Sequence, residues 1–529
     1  MKQKVIITDA VDQACATMLE TKGIQAEVRL KLSKDELKAI LPQYEGWIIR
    51  SGTKITADLI EAATNLKVIG RAGVGVDNVD LDAATRRGVL VMNSPDGNTL
   101  STAEHTCAMM QSLARHLPQA HASLKSGAWE RNKFNGTEIF GKTLGVIGAG
   151  KIGRAVAERM RGFGMNVLAY DPMLNHAVAE RLGIALVSLN ELYAQSDIIT
   201  VHTPLTDETN GLLNRETFAK CKKGVLVVNC ARGEIINEAD LLAALESGQV
   251  GGAALDVYST EPPSPHLRPL IEHPNVVATP HIAASTKEAQ FKVAEEVTAE
   301  LIEALQGRSV RTSVNSFAIR MAARSEVQSF LKLAEKLGQV AGQLMDGSLQ
   351  KVVVRCMGDV PKRYSELLSL AVMRGILSKW HSYVNYINAS VIAHEMGVVF
   401  EEQRSDDAGN FTELLEITFH TSSGIRKLTG TVFAGEDPRI VQIDGFPLEV
   451  KPEGHILFYT NVDRPGMVAA VGRILAENQI NIATFTLGRS GKGGEAITAV
   501  CVDDTITEVV RTQIEAIDGV RNVKVVYVL

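Results

Sequence analysis

Aromatic residues make up only 5% of this 529-residue sequence, and six cysteines are scattered through it with no C-x-x-C pair. Cys15, Cys107, Cys221, Cys230, Cys356 and Cys501 are too dispersed for a zinc ribbon or a disulfide framework. Reduced thiols in a cytoplasmic protein, with no metal, are therefore expected. No apolar run reaches the roughly 18–20 residues that cross a bilayer, which excludes a membrane-spanning helix. The short run after Met1-Lys2-Gln3-Lys4 stops at Asp9, too soon for a signal peptide. There is no basic excess either: 55 Lys and Arg against 61 Asp and Glu give a net charge of −6, the wrong sign for a nucleic-acid partner. What remains is ordinary globular material, 45% hydrophobic and 22% charged. At about 100–200 residues per domain the length predicts three or four domains.

The order of segments predicts an α/β fold. Val5-Ile6-Ile7, Gly46-Trp47-Ile48-Ile49, Leu66-Lys67-Val68-Ile69 and Val89-Leu90-Val91-Met92 are short apolar runs separated by helical stretches. That alternation specifies a parallel sheet covered on both faces. Ser101-Thr102-Ala103-Glu104 has capping-box spacing, predicting a helix from there to about Leu117. A second βα series runs from Thr143 to about residue 280, with strands at 143–147, 167–170, 198–201, 225–228 and 253–255. Residues 314–450 hold helices and strands without a legible motif. From His455 the pattern is β-α-β-β-α-β, a ferredoxin-like unit.

The sharpest motif is Gly148-Ala149-Gly150-Lys151-Ile152-Gly153, which follows an apolar strand and opens a helix. Gly148 allows the tight turn, Gly150 lets backbone approach a pyrophosphate, and Gly153 lets helix pack on strand. The helix N-terminus then presents free N–H groups to phosphate. Asp171 ends the next strand, where its carboxylate suits ribose hydroxyls and repels a 2′-phosphate, so the cofactor expected is NAD. Three polar residues lie at or just beyond later strand ends: Arg232 in Cys230-Ala231-Arg232-Gly233, Glu261, and His281 in Thr279-Pro280-His281. Each singly reads as a surface ion pair, a loop carboxylate or a buried histidine. Together beside a nicotinamide site they supply what oxidation of a secondary alcohol requires: a base, a carboxylate to orient it, and a cation for a substrate carboxylate.

Arg71-Ala72-Gly73-Val74-Gly75-Val76-Asp77-Asn78-Val79, the glycine loop, Val201-His202-Thr203-Pro204-Leu205, Asn229-Cys230-Ala231-Arg232-Gly233 and Thr279-Pro280-His281 resemble the D-isomer-specific 2-hydroxyacid dehydrogenases. The chain is most similar to their long form. The resemblance implies two Rossmann-like doubly wound lobes, an intervening α+β domain and a ferredoxin-like ACT domain. The substrate lobe would be discontinuous, residues 1–95 plus 284–312, around an NAD lobe at 96–283, followed by 314–450 and an ACT domain at 454–529. Crossings near 94–100 and 282–286 would form the hinge.

Arg232, Glu261 and His281 fall on the family's catalytic positions. The resemblance also implies NAD contacts from Val74, Gly148, Gly150, Lys151, Ile152, Gly153, Asp171, Thr203, Cys230, Ala231, Arg232, Asp256, His281, Ala283 and Ala284. It implies substrate contacts from Arg50, Ser51, Val74, Gly75, Asn98, Arg131 and Lys133, the cations serving a phosphate. The reaction implied is NAD-dependent oxidation of 3-phospho-D-glycerate to 3-phosphohydroxypyruvate, at the entry to serine synthesis. A glyoxylate or hydroxypyruvate reductase, or an NAD(H)-sensing corepressor on the same fold, are the alternatives; the folded C-terminal half argues against both. In the ACT domain, Asn461, Asp463 and Asn481 are the candidate contacts for an L-serine effector. Arg439 and Lys451 match two basic anion-site positions of the intervening domain, with Pro447 where some relatives carry histidine. An exposed ACT sheet edge would be buried by pairing, so a homo-oligomer, dimer or tetramer, is expected.

Overall fold

The computed structural model describes residues 2–308, 310–316, 319, 321–322, 324–381 and 383–528. Strands β1 (Lys4–Ile7), β2 (Gln25–Val28), β3 (Gly46–Ile49), β4 (Val68–Arg71) and β5 (Leu90–Asn93) form a parallel sheet in the order β2-β1-β3-β4-β5. Their apolar runs are continuous because helices cover both faces: Val5, Ile6, Ile48 and Ile49 are wholly buried. One covering helix, Lys287–Leu305, comes from far along the chain and lays Ala294, Leu301, Ile302 and Leu305 on this sheet. Gly46 and Gly70 make room for it, since a Cβ at either would meet Leu301 or Val297. The return continues to Asn315, whose Oδ1 accepts from the Val91 N–H at 2.9 Å.

The second sheet contains β6 (Thr143–Ile147), β7 (Asn166–Tyr170), β8 (Ala185–Leu186), β9 (Ile198–Val201), β10 (Val225–Asn229), β11 (Val250–Leu255) and β12 (Val276–Ala278). All are parallel, in the order β12-β11-β10-β9-β6-β7-β8. The strand order reverses beside β6, and the crevice there, at the carboxyl ends of β6 and β9, is where such sheets bind ligands.

The helix expected from the Ser101 capping box begins earlier. It spans Thr99–Ala114 with Asn98 at its N-cap, so Ser101 is already inside it and its hydroxyl meets Thr286 Oγ1 at 2.7 Å. The helix also stops short of Leu117. His116 turns into the left-handed region at φ 49°, and Pro118, which has no N–H to continue the ladder, opens a separate helix Leu117–Lys125.

Beyond residue 324, β13 (Leu349–Met357), β14 (Val399–Ser405), β15 (Leu414–Thr421), β16 (Gly424–Phe433), β17 (Asp437–Ile443) and β18 (Phe446–Val450) form a sheet in the order β14-β13-β15-β16-β17-β18. Helices Gln328–Leu344 and Ser365–Leu377 pack so closely that Gly338 and Gly375 have no room for a Cβ. The last sheet contains β19 (Gly454–Val462), β20 (Ile482–Arg489), β21 (Glu495–Val502) and β22 (Val520–Val528), antiparallel in the order β20-β21-β19-β22.

Both edges of this sheet meet other parts of the same chain. On β20, Thr486 Oγ1 donates to the Glu449 carbonyl at 2.9 Å. On β22, the Gln343 amide donates to the Tyr527 carbonyl at 2.8 Å and accepts its N–H at 2.9 Å, as a neighbouring strand would. An unpaired ACT edge therefore gives no strong reason for a dimer. No helix among the described residues is long and apolar enough to cross a membrane.

Candidate active site

The glycine loop joins β6 to the helix Lys151–Gly162. Gly148 sits at φ 90°, and a Cβ there would meet the His202 carbonyl at 2.8 Å. A Cβ on Gly153 would lie 2.1 Å from the Gly148 oxygen, so only glycine lets this helix approach its strand. Nothing lies within 4 Å of a Cβ at Gly150, which leaves the helix N-terminus open to an anion. Asp171 is tied to this loop: Oδ2 accepts the Ala149 N–H at 2.8 Å, and Oδ1 accepts from Met173 and Leu174. Two backbone donors thus fill Oδ1, leaving further acceptor capacity on Oδ2. Lys151 pairs with Asp96 across the interlobe crossing, and Ile152 packs into the lobe core. The Cys230 thiol is buried and pushed up to about 12, so this segment offers its backbone rather than a thiolate.

Three enclosed polar atoms along the cleft have no hydrogen-bond partner among the described residues: Thr203 Oγ1, Asn98 Oδ1 and Arg71 Nε. Enclosed polar atoms are rarely left unsatisfied, and here they lie on segments that converge on the strand ends. A polar ligand spanning both lobes would satisfy them. The open Gly150, the tethered Asp171 and the orphaned Thr203 hydroxyl together fit NAD.

At the far end of the second sheet, His281 Nδ1 lies 2.7 Å from Glu261 Oε2. Burial by itself would raise the Glu261 carboxyl, but the hydrogen bond and charge of His281, with the Tyr258 N–H, outweigh it and hold the group below its ordinary value. The carboxylate is thus the acceptor and Nδ1–H the donor, leaving Nε2 as the free ring nitrogen. His281 adopts a left-handed φ of 52°, a conformation costing a non-glycine residue roughly 1–2 kcal/mol. Asp256 holds it there. Its carbonyl accepts the His281 N–H at 2.8 Å, and its wholly buried carboxylate accepts from Thr279 Oγ1 at 2.6 Å and from Ile282 and Ala283 at 2.9 Å each. Asp256 is therefore the anchor of the turn that carries His281 and Ala284. His105, from the helix Thr99–Ala114, adds a further partner 3.3 Å from Asp256.

Arg232 follows β10 and reaches the other lobe, where Nε donates to Asp77 Oδ2 at 2.9 Å. The guanidinium lies on Gly75, whose Cβ, if present, would be 1.7 Å from Nη2. Beneath it Arg71 ends β4. Burial and then the Arg232 charge push its guanidinium down to about 10, so it remains a cation at neutral pH. The Arg50 charge adds to the same field. Asp9 fixes the Arg50 segment by accepting the backbone N–H of Arg50 at 2.6 Å and of Thr53 at 3.0 Å; Ser51 next to it is exposed. The Val74 carbonyl is held by Asn93 at 2.5 Å. Arg71, Asp77 and His105 were not among the expected site residues. The signal for the first two is present in the sequence: a lone arginine ending an apolar strand, six residues before an aspartate in a glycine turn.

Other expected residues are placed elsewhere. Arg131 and Lys133 lie on an exposed turn, Lys133 paired with Glu130 at 2.5 Å. No hydrogen bond among the described residues joins either side chain to the Arg71–Arg232 cluster. In the last sheet Asn461 is buried and engaged with Val462 and Thr498. Asp463 is held by Arg489 at 2.9 Å, which lowers its carboxyl, and Asn481 donates to Asp503 at 2.7 Å. Arg439 is bracketed by Asp437 and Glu449, and Lys451 pairs with Glu453. The two basic residues expected to hold an anion are thus matched by three carboxylates.

Residues 107–283 match the D-isomer specific 2-hydroxyacid dehydrogenase NAD binding domain, residues 326–444 the D-3-phosphoglycerate dehydrogenase intervening domain, and residues 455–519 the ACT domain. The chain is 42% identical over 520 residues to the D-3-phosphoglycerate dehydrogenase of Archaeoglobus fulgidus, covering 98% of each chain. It is also 42% identical over 526 residues to that of Bacillus subtilis, covering 99% of each. Among solved structures, the apo D-lactate dehydrogenase of Escherichia coli superposes with a TM-score of 0.54 at 32% identity, covering 59% of this chain and all of that one.

Proposed function

The chain belongs to the D-3-phosphoglycerate dehydrogenases, NAD-dependent oxidoreductases of serine biosynthesis, and we propose that it oxidises 3-phospho-D-glycerate to 3-phosphohydroxypyruvate through His281, Glu261 and Arg232. The observation that carries this reading is the 2.7 Å His281–Glu261 pair, set on a turn anchored by Asp256 at the strand ends that also carry Arg232. When bound there, NAD⁺ would supply the hydride acceptor for C2 of the substrate. His281 Nε2 takes the C2 hydroxyl proton, while Glu261 fixes the ring through Nδ1 and stabilises the imidazolium that forms. Arg232 binds the substrate carboxylate and polarises the C2 oxygen, and Gly75 lets the guanidinium lie against the opposite lobe. Arg71 and Arg50 supply positive charge for the dianionic end. Gly148, Gly150, Gly153, Asp171 and Thr203 would hold the cofactor. Spectrophotometric NADH formation with 3-phospho-D-glycerate tests the reading.

The ACT domain is regulatory in this reading, and L-serine is its effector. Asp463, which pairs with Arg489 at the end of β20, is the acceptor for the amino group and would give up that partner; Asn481 precedes the opposite end of β20, where it bonds Asp503, and does not share this position. The active unit is at least a dimer. Support for this lies in the segment after the helix break, where Leu117, Leu124 and Trp129 are 53%, 59% and 77% exposed, an apolar surface of the kind that a second subunit covers. Sedimentation of the wild type beside Trp129→Glu tests it: the proposal requires a wild-type dimer or larger that the charge weakens.

A further inference from the structure

The first sheet has its own point of strand-order reversal, between β1 and β3, because β2 lies on one side of β1 and all later strands on the other. In open α/β sheets the crevice outside the carboxyl ends at such a point is where ligands bind. A cavity of about 580 Å³ opens there, lined by the segments that leave β1, β2 and β3. It shares no residue with the Arg50–Arg71–Arg232 cluster.

The chemistry of its walls selects a ligand. Lys31 and Lys54 border it, both exposed, and no ion pair among the described residues engages either ammonium. Lys34 is already paired with Asp58 at 2.9 Å. Asp9, the sole acidic residue of the lining, gives both oxygens to protein donors: Oδ2 to the Arg50 and Thr53 N–H groups, Oδ1 to the Thr53 hydroxyl at 2.8 Å. The net character of the rim is therefore cationic. Leu32, Leu37 and Leu59 form an apolar wall below it. Lys31 is also held in the left-handed region at φ 59°, a conformation that lysine seldom adopts and that accompanies ligand-binding turns.

We propose that this crevice is a second ligand site, separate from the catalytic cleft, for a small organic anion with a phosphate or carboxylate head on Lys31 and Lys54 and a short apolar body on the leucine wall. Its floor, Asp9 and Thr53, also fixes the segment that carries Arg50, so an occupant touches the support of a residue in the catalytic cleft.

The test is calorimetric titration of the full chain with hexyl phosphate, with and without saturating NADH and 3-phospho-D-glycerate, a pair that cannot react together, and with inorganic phosphate and 1-hexanol as controls. The expected result is one site per chain for hexyl phosphate, with either control binding weaker. In Lys31→Gln/Lys54→Gln that affinity should fall by roughly tenfold or more, the loss expected of charge-assisted contacts, while turnover stays at the wild-type level. Absence of binding, displacement by the substrate, or undiminished binding in the double variant would overturn the proposal. Binding is read directly, so failure here leaves the proposed reaction standing.

Discussion

Gly75→Ala isolates the contribution of one guanidinium position. Gly75 does not occupy the left-handed region, so alanine costs little in backbone terms. The added methyl carbon would stand 1.7 Å from Arg232 Nη2 and 2.8 Å from Asp77 Oδ2. Both are ends of flexible side chains, and the guanidinium can retreat by the ångström or two that contact distance requires. Stability should therefore change little. Function should not be spared, because a displacement of about 1 Å in a positioning group can cost about a hundredfold in rate. Losing a charge-assisted hydrogen bond independently costs about 1.5–3 kcal/mol, or roughly 10- to 150-fold. We expect kcat/KM to fall by about two orders of magnitude, with NADH affinity and Tm close to wild type. Gly153→Ala is the contrasting control. Its methyl would meet the Gly148 backbone oxygen at 2.1 Å, which cannot step aside, so NADH binding and stability should both decline. A Gly75→Ala enzyme with unimpaired kcat/KM would refute the argument that Arg232 acts from this position.

His281→Ala should lose about 10²- to 10⁴-fold in turnover with NADH affinity retained, by steady-state kinetics and fluorescence titration. Oxidation consumes neutral imidazole and reduction consumes imidazolium, so the two directions should change oppositely with pH; parallel profiles would contradict the assignment. The Glu261 carboxyl is held below its unfolded value of about 4.3, so its contribution to local stability is complete above that value and is lost as pH falls through the folded one. Hydrogen exchange over 256–283 should accordingly be faster in Glu261→Gln than in wild type at neutral pH, and the difference should vanish in acid. Burial raises the thiols of Cys15, Cys107 and Cys221 to about 11 and those of Cys230 and Cys356 to about 12, so iodoacetamide should label them slowly in the native chain near pH 8 and readily after denaturation. L-serine should bind the wild type calorimetrically and inhibit turnover, and Asp463→Ala should lose both effects; neither effect at millimolar serine would leave the ACT domain as an assembly module.

What could be read from the sequence was what depends on local pattern. Apolar runs such as Val225–Val228 could only be buried strands, and the spacing of Gly148, Gly150 and Gly153 carries its own steric reason, visible in the 2.1 Å approach to Gly148 oxygen. The Ser101–Glu104 spacing misled because an identical pattern inside a helix does no capping, and the Asn98 backbone sets the true start. Long-range placement was beyond reach. Nothing local reveals that Arg232 meets Asp77 across 155 positions, that Arg71 lies beneath it, or that Asp256 anchors the His281 turn instead of standing free. Likewise Glu449, which pairs with Arg439, and Arg489, which occupies Asp463, come from other strands, and residue type alone could not supply them.

The central claim is that this cleft oxidises a phosphorylated D-2-hydroxy acid with NAD⁺. The most direct measurement is the initial rate of NADH formation with 3-phospho-D-glycerate, D-glycerate and D-lactate at equal concentration, for the wild type and for Arg71→Ala. The account predicts rapid turnover of 3-phospho-D-glycerate alone, and a loss in Arg71→Ala that is carried mainly by KM. Turnover of D-glycerate or D-lactate at a rate equal to that of the phosphorylated substrate, or no NADH from any of the three, would contradict it.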